Sequence, residues 1–193
     1  MKLLKDILYK VNINTTLGST NVLVDAVQFD SRKVKRNTLF VAQKGLVFDG
    51  HQFIATAISA GAIAIVCEEL PNEILPTITY VLVENSSETF GLLASSFFDN
   101  PSSKMKLVAI TGTNGKTSNA TLLHHLFREL GYNVGLLSTV QNQINEEVIP
   151  ATHTTPDAVA LNQLLALMLS KGCTHCFMEA SSHAIHQYRI AGL

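Results

Sequence analysis

Gly112, Gly115, Lys116 and Thr117 stand within the octapeptide TGTNGKTS, Thr111–Ser118, and their types and spacing suit a phosphate-binding loop. Glycines let backbone N–H groups turn toward an anion, and a helix starting at the loop adds its N-terminal partial charge. A lysine neutralises the terminal phosphates, and the hydroxyl after it is suited to Mg2+. The usual G-x-x-x-x-G-K-[ST] spacing would put a glycine where this chain has Ile110, so a tighter loop is expected. Thr113, Asn114 and Ser118 complete it. The alternative is an ordinary glycine turn with a solvated lysine. Such a site also needs a carboxylate at the end of a neighbouring strand, to hold the metal directly or through water. Glu179, at the end of HCFMEAS and just before Ser181 and Ser182, is the candidate; the competing reading is a solvated strand-end glutamate.

Strand, loop and helix must follow in that order to present these groups. KLVAIT (106–111) is a nearly continuous apolar run, which predicts a strand buried on both faces. TSNATLLHHLFRELG places Leu122, Leu123, Leu126, Phe127 and Leu130 on one helical face, with Gly131 as the stop. NVGLLST reads as the next strand. TTPDAVALNQLLALMLSKG reads as a helix with Pro156 at its first position and Gly172 just past its end, and THCFMEAS as a third strand. Upstream, VDAVQFDSR, NTLFVAQKG, AIAIVCE and ITYVLVEN read as strands, GHQFIATAISAG as a helix, and SETFGLLASSFF as a helix capped by Ser86 or Ser87. Alternating strands and helices imply an α/β fold. The polar, proline-containing FDNPSSKMK (98–106) separates two domains, 1–100 and 101–193.

Composition excludes several classes. Apolar residues make up 47% and charged ones 15% of the 193, enough for a substantial core. The formal charge of −1, from 14 basic and 15 acidic side chains, gives no nucleic-acid surface. Lys33, Lys35 and Arg36 read as a solvated turn. The longest apolar run, around 62–67, is too short to span a bilayer, and MKLLKDILYK carries Asp6 and does not resemble a secretory signal. Three cysteines argue against a disulfide framework and for a reducing cytoplasm; Cys173 and Cys176 form a lone C-x-x-C within a stretch that reads as a buried strand.

TGTNGKT resembles the phosphate loop of the Mur ligases and the related folylpolyglutamate synthases. DSRKV (Asp30–Val34), HTTPD (His153–Asp157) and MEASSHAIHQYRIAGL (Met178–Leu193) are similar to motifs of the Mur ligase that adds the third amino acid, so the resemblance spans essentially the whole chain. It implies a small N-terminal α/β uridine-nucleotide-binding domain, followed by part of a P-loop, Rossmann-like, parallel-sheet central domain that binds ATP. The implied reaction is an ATP-dependent amide ligation. The γ-phosphate activates the D-glutamate side-chain carboxylate of UDP-N-acetylmuramoyl-L-alanyl-D-glutamate, and the amine of a diamino acid attacks the acyl phosphate. meso-Diaminopimelate is favoured over L-lysine.

Carried over by resemblance, Gly112–Ser118 would bind ATP, Lys116 and Glu179 would be catalytic, and Thr117 and Glu179 would serve Mg2+. Ser31, Thr154, Thr155, Ser181, Gln187 and Arg189 would bind the nucleotide-sugar substrate. Alternatives stay open: a turn hydroxyl for Ser31, a cap of the following helix for Thr155, a surface charge for Arg189. Ser118 stands where threonine is common and keeps the hydroxyl. The family's carbamylated lysine, its histidine-containing metal motif and a third domain for adenine and the incoming amino acid would follow Leu193. The chain is therefore expected to be an N-terminal portion of a ligase, inactive alone. Competing readings are another ligase of the superfamily, a non-catalytic nucleotide-sugar-binding module, and a small P-loop phosphotransferase, for which no arginine-rich lid segment is evident.

Overall fold

A computed structural model describes residues 1–45, 49–150 and 155–193. The chain divides into two compact units, Met1–Phe97 and Phe98–Leu193. The polar stretch at the division is ordered into a single 3-10 turn, Pro101–Lys104, with Asn100 in the left-handed region before it. Among the described residues no helix is long and apolar enough to cross a membrane.

The first unit contains β1 (Lys2–Leu3), α1 (Leu4–Ile7), β2 (Thr15–Leu17), β3 (Leu23–Val24), β4 (Ala26–Gln28), β5 (Thr38–Val41), α2 (Ile54–Ser59), β6 (Ala62–Cys67), β7 (Thr79–Leu82) and α3 (Ser86–Phe97). Its main sheet runs β2-β7-β6-β5-β4, with β4 to β7 parallel and β2 antiparallel on the edge. VDAVQFDSR is therefore not one strand. β3 pairs with β1 and β4 with β5, and between them Asp25 N–H donates to the Asn37 carbonyl. Phe40, Ile65 and Tyr80 lie in this unit's core. The serine caps expected on α3 are absent. Asn85 Oδ1 accepts from Glu88 N–H at 2.9 Å, while the Ser86 N–H and hydroxyl both turn to Glu68 Oε1.

The second unit contains β8 (Lys106–Ile110), α4 (Lys116–Glu129), β9 (Val134–Leu137), β10 (Gln141–Ile144), β11 (Glu147–Pro150), α5 (Ala158–Ser170), β12 (His175–Glu179) and α6 (Ser182–His186). Its sheet runs β11-β10-β9-β12-β8. β8, β12 and β9 are parallel, but β10 and β11 form an antiparallel hairpin, so the sheet is mixed rather than wholly parallel. Two helices end in Schellman closures at the expected glycines. Gly131 and Gly172 take φ +86° and +80°, and the residues after them donate back to Phe127 O and Met168 O. Helix α5 starts later than expected: Asp157, not Pro156, begins it, with Asp157 Oδ1 accepting from Ala160 N–H.

Two expectations about burial fail here. Among the described residues β8 pairs with β12 alone, at the edge of the sheet, and Val108 is 41% exposed, so in this chain the strand is not buried on both faces. Leu123 and Phe127 of α4 pack on Val134, Leu136 and Phe177, whereas Leu122, Leu126 and Leu130 are exposed. The five apolar positions cover a stripe wider than the sheet beneath. Cys173 and Cys176 are free, buried and part of the α5-side core, where burial pushes both thiols up, away from the thiolate form that metal or redox chemistry needs.

At Gly135, β9 meets α5 closely. A side-chain Cβ there would land on the thioether of Met168, which is fully buried and would have to shift within the core. Gly135→Val is expected to destabilise this unit by about 1–3 kcal/mol through overpacking, read as a lower urea midpoint. An unchanged midpoint would show that Met168 repacks freely.

Candidate functional site

β8 delivers the chain into the glycine loop, and α4 begins at Lys116, immediately after it. Gly115 caps α4 with φ +79°, a left-handed turn that L side chains rarely adopt, so glycine is required where loop becomes helix. Residues 111–115 are exposed. Lys116 Nζ curls over the loop and donates to Gly112 O at 2.7 Å, which keeps its ammonium at the loop mouth. Asn119 Nδ2 donates to Gly115 O and steadies the first turn. The Thr117 hydroxyl has no partner among the described residues.

β12 lies beside β8 in parallel register, Glu179 opposite Ile110, and Ala180 N–H donates to Ile110 O at 2.9 Å. Glu179 therefore ends its strand directly alongside the start of the glycine loop. Its side chain is 1% exposed, so the solvated reading is set aside. Its carboxylate accepts from Thr139 N–H at 2.8 Å and the Thr139 hydroxyl at 3.2 Å. Thr139 sits just past β9, at the same end of the sheet. In open α/β sheets this carboxyl end of the strands is where ligands bind. Sequence reading missed Thr139, although a hydroxyl at the end of NVGLLST was a visible signal.

The described substrate-side candidates of this unit, Thr155, Ser181, Gln187 and Arg189, form one connected network. Thr155 is buried; its hydroxyl donates to Glu179 O at 3.0 Å and accepts from Ser181 N–H at 3.4 Å. It does not cap α5, since Asp157 does. Ser181 Oγ caps α6 by accepting from Ala184 N–H. Arg189 points inward rather than to solvent. Nη1 donates to Thr155 O at 2.9 Å, while Nε and Nη2 both donate to Gln187 Oε1, at 2.9 and 2.6 Å. With its oxygen held, Gln187 can offer only its NH2 group, a hydrogen-bond donor, to a ligand. Thr154 lies outside the described residues.

Ser31 lies in the first unit, at the start of the 3-10 turn Ser31–Lys33 that follows β4. Asp30 caps that turn and grips the Arg32 guanidinium with both oxygens, at 2.9 and 2.8 Å. These bonds hold the Asp30 carboxyl below the usual range. The Ser31 hydroxyl is left without a partner among the described residues. The same unit holds a cluster that sequence reading did not single out. His51 Nδ1 lies 2.6 Å from Asp49 Oδ1, and His51 Nε2 accepts from Glu68 N–H at 2.9 Å. Lys44 Nζ donates to Glu69 at 2.7 Å. The bonds from His51 N–H and side chain lower the Asp49 pKa.

Among the described residues no group of three or more His, Cys, Asp or Glu could hold a metal. Mg2+ does not require one, because it is commonly held by one or two protein oxygens together with substrate phosphates and water. A buried carboxylate with lone pairs to spare and an unpartnered hydroxyl, beside a glycine loop, fit that donor set.

Comparisons with known proteins bear on the family and the fold. Residues 23–97 match the family described as "Mur ligase family, catalytic domain", and residues 110–193 match "Mur ligase middle domain". The chain is 57% identical over 191 residues to a UDP-N-acetylmuramoyl-L-alanyl-D-glutamate--2,6-diaminopimelate ligase of Cytophaga hutchinsonii, covering 98% of this chain and 39% of that protein. A Bacteroides fragilis protein of the same name is 49% identical over 190 residues, with the same coverage, 98% and 39%. The chain thus spans about 39% of the length of these curated relatives. A solved structure of such a ligase superposes with a TM-score of 0.80 at 22% identity, covering 100% of this chain and 38% of that one, a likeness of fold. A MurF ligase from Thermotoga maritima in complex with ADP matches with a TM-score of 0.53 at 27% identity, over 81% of this chain and 32% of that one.

Proposed function

Since the chain belongs to the Mur ligase family and carries its N-terminal and middle domains, we propose that it is the nucleotide-binding part of a cytoplasmic, ATP-dependent amide ligase of peptidoglycan synthesis. The reaction joins a diamino acid, 2,6-diaminopimelate as in the named relatives, to UDP-N-acetylmuramoyl-L-alanyl-D-glutamate. The observation that carries this reading is the register of Glu179 opposite Ile110, which puts a buried carboxylate beside the glycine loop. Domain roles follow: 1–100 for the uridine nucleotide, 101–193 for ATP.

The chemistry asks for help with charge. A carboxylate resists attack by an amine until one of its oxygens leaves as phosphate, and making that acyl phosphate brings two anions together. Here the loop N–H groups of Gly112–Ser118 and the α4 N-terminus would cradle the phosphates. Lys116 would leave Gly112 O for the β/γ-phosphates and offset their charge. Thr117 and Glu179 would hold Mg2+, which when bound supplies charge neutralisation of the phosphates. On the substrate side, the Gln187 NH2 group would donate to a substrate oxygen, together with Ser181 and Thr155 of the same network; Thr154 is proposed as a further substrate contact on the resemblance alone. Arg189 would fix the Gln187 amide, in addition to any direct contact with the substrate. Ser31 would meet the uridine diphosphate.

Calorimetric titration of the chain with UDP-N-acetylmuramoyl-L-alanyl-D-glutamate, then with ATP and Mg2+, tests this. Nucleotide-sugar binding that is lost on Ser31→Ala or Arg189→Ala supports the assignment. A folded chain that binds neither ligand overturns it.

A further inference from the structure

Glu179 and Thr139 stand at the same end of adjacent parallel strands: Met178 pairs with Leu137, Glu179 follows it by one residue, and Thr139 lies two residues past Leu137 in the turn after β9. Both donors of Thr139 go to this carboxylate, one to each oxygen: N–H to Oε1 at 2.8 Å and hydroxyl to Oε2 at 3.2 Å. The turn that presents Thr139 is itself fixed. Ser138, buried, donates its hydroxyl to Gln141 O at 2.7 Å and accepts from Gln141 N–H at 3.3 Å. From the other side, the Thr155 hydroxyl holds the Glu179 carbonyl.

The geometry points to Thr139 as a positioning residue that sets the plane of the Glu179 carboxylate for a divalent cation at the glycine loop. The inference rests on the reading of Glu179 as the metal-side carboxylate. A terminal carboxylate rotates easily, and a broad torsion alone would let it present either oxygen or its edge. One donor on each oxygen removes that freedom. Each oxygen keeps lone-pair capacity for a cation or for a water bound to it. Because both donors belong to one residue beyond β9, the carboxylate is oriented relative to the β9–β12 pair rather than to its own backbone alone. A merely structural Thr139 would satisfy a buried acceptor and nothing more. Its loss would lower stability without touching how strongly a cation and a nucleotide help each other bind.

That difference is measurable on the chain as it stands. ADP affinity is determined by calorimetry with Mg2+ and with chelator, and the ratio gives the help the cation supplies. Thr139→Val keeps the backbone N–H and the side-chain shape but deletes the hydroxyl. Outer partners of metal ligands are typically worth 10- to 100-fold in metal affinity; with one of two bonds retained, the ratio is expected to fall about tenfold. Affinity in chelator stays unchanged, and Thr139→Ser restores the ratio. Thr139→Ala gives the same loss where the valine variant does not fold. Glu179→Gln removes the cation's help altogether. A Thr139→Val chain with the full ratio, beside a Glu179→Gln chain that has lost it, overturns the positioning role and leaves the reading of Glu179 standing. A Glu179→Gln chain with the full ratio, or an unmodified chain whose ADP binding ignores Mg2+, overturns both.

Discussion

Replacing Lys116 by methionine is expected to weaken ADP binding roughly 10- to 100-fold, the loss of a charge-assisted hydrogen bond worth about 1.5–3 kcal/mol. The fold should survive intact. Lys116 Nζ contacts only carbonyls of its own loop, Gly112 O at 2.7 Å and Thr113 O at 3.4 Å, and no core residue depends on it. Methionine keeps the length and apolar stem of lysine while removing the charge. Arginine is not an equivalent substitute, because its planar fork replaces the compact point charge of lysine. Calorimetry with ADP and circular dichroism on the same sample separate the two effects. A folded Lys116→Met chain with undiminished affinity would mean that the loop does not bind phosphate through this lysine.

Acid should loosen the second unit, and His124 is the reason. It lies on the sheet-facing side of α4, fully buried, and neither ring nitrogen makes a well-formed hydrogen bond among the described residues, the nearest approach being to the Val134 backbone. Burial first, then the nearby charges of His125 and Arg128, push its pKa from 6.5 to about 4, against a smaller upward pull from the Val134 backbone. In the unfolded chain it would titrate near its ordinary value and take up a proton that the folded unit refuses. Stability is therefore fully present above about pH 6.5. It falls as pH drops from there toward 4, and the loss is complete below that value. The full loss is about 3 kcal/mol. Burial lowers the His175 pKa too, which adds to the effect in the same direction. Hydrogen exchange of α4 and β9 amides across this range measures it locally. His124→Leu should flatten the profile by about that amount and leave stability at pH 7 unchanged or higher. An unchanged profile in that variant would assign the acid sensitivity elsewhere.

How much of this could be read from residues alone depended on distance along the chain. The loop and the helix stops were legible because their signals are local: Gly115, Gly131 and Gly172 all adopt positive φ, which glycine takes at no steric cost. Glu179 was legible as a strand-end carboxylate, but its burial was not, because that depends on β9 and the turn carrying Thr139, 40 positions away. The β10–β11 hairpin escaped because its tight turn uses Asn145-Glu146 in place of the stronger Asn-Gly signal, and only Asn145 has positive φ. The exposure of β8 and of Leu122, Leu126 and Leu130 is set by what packs against them, which periodicity does not record. Arg189 reads as a charge in sequence, yet its partners, Gln187 and Thr155, turn it into a brace.

The β10–β11 hairpin has a consequence for how this unit behaves in a crowded solution. Its outer strand, Glu147–Pro150, closes one side of the sheet with four residues, a carboxylate tied to Lys171 at 3.2 Å, and a proline with no N–H to lend. Short length, charge and proline are the features by which sheets refuse to recruit a stranger's strand. That margin of the second unit's sheet is thereby guarded against growing into aggregates.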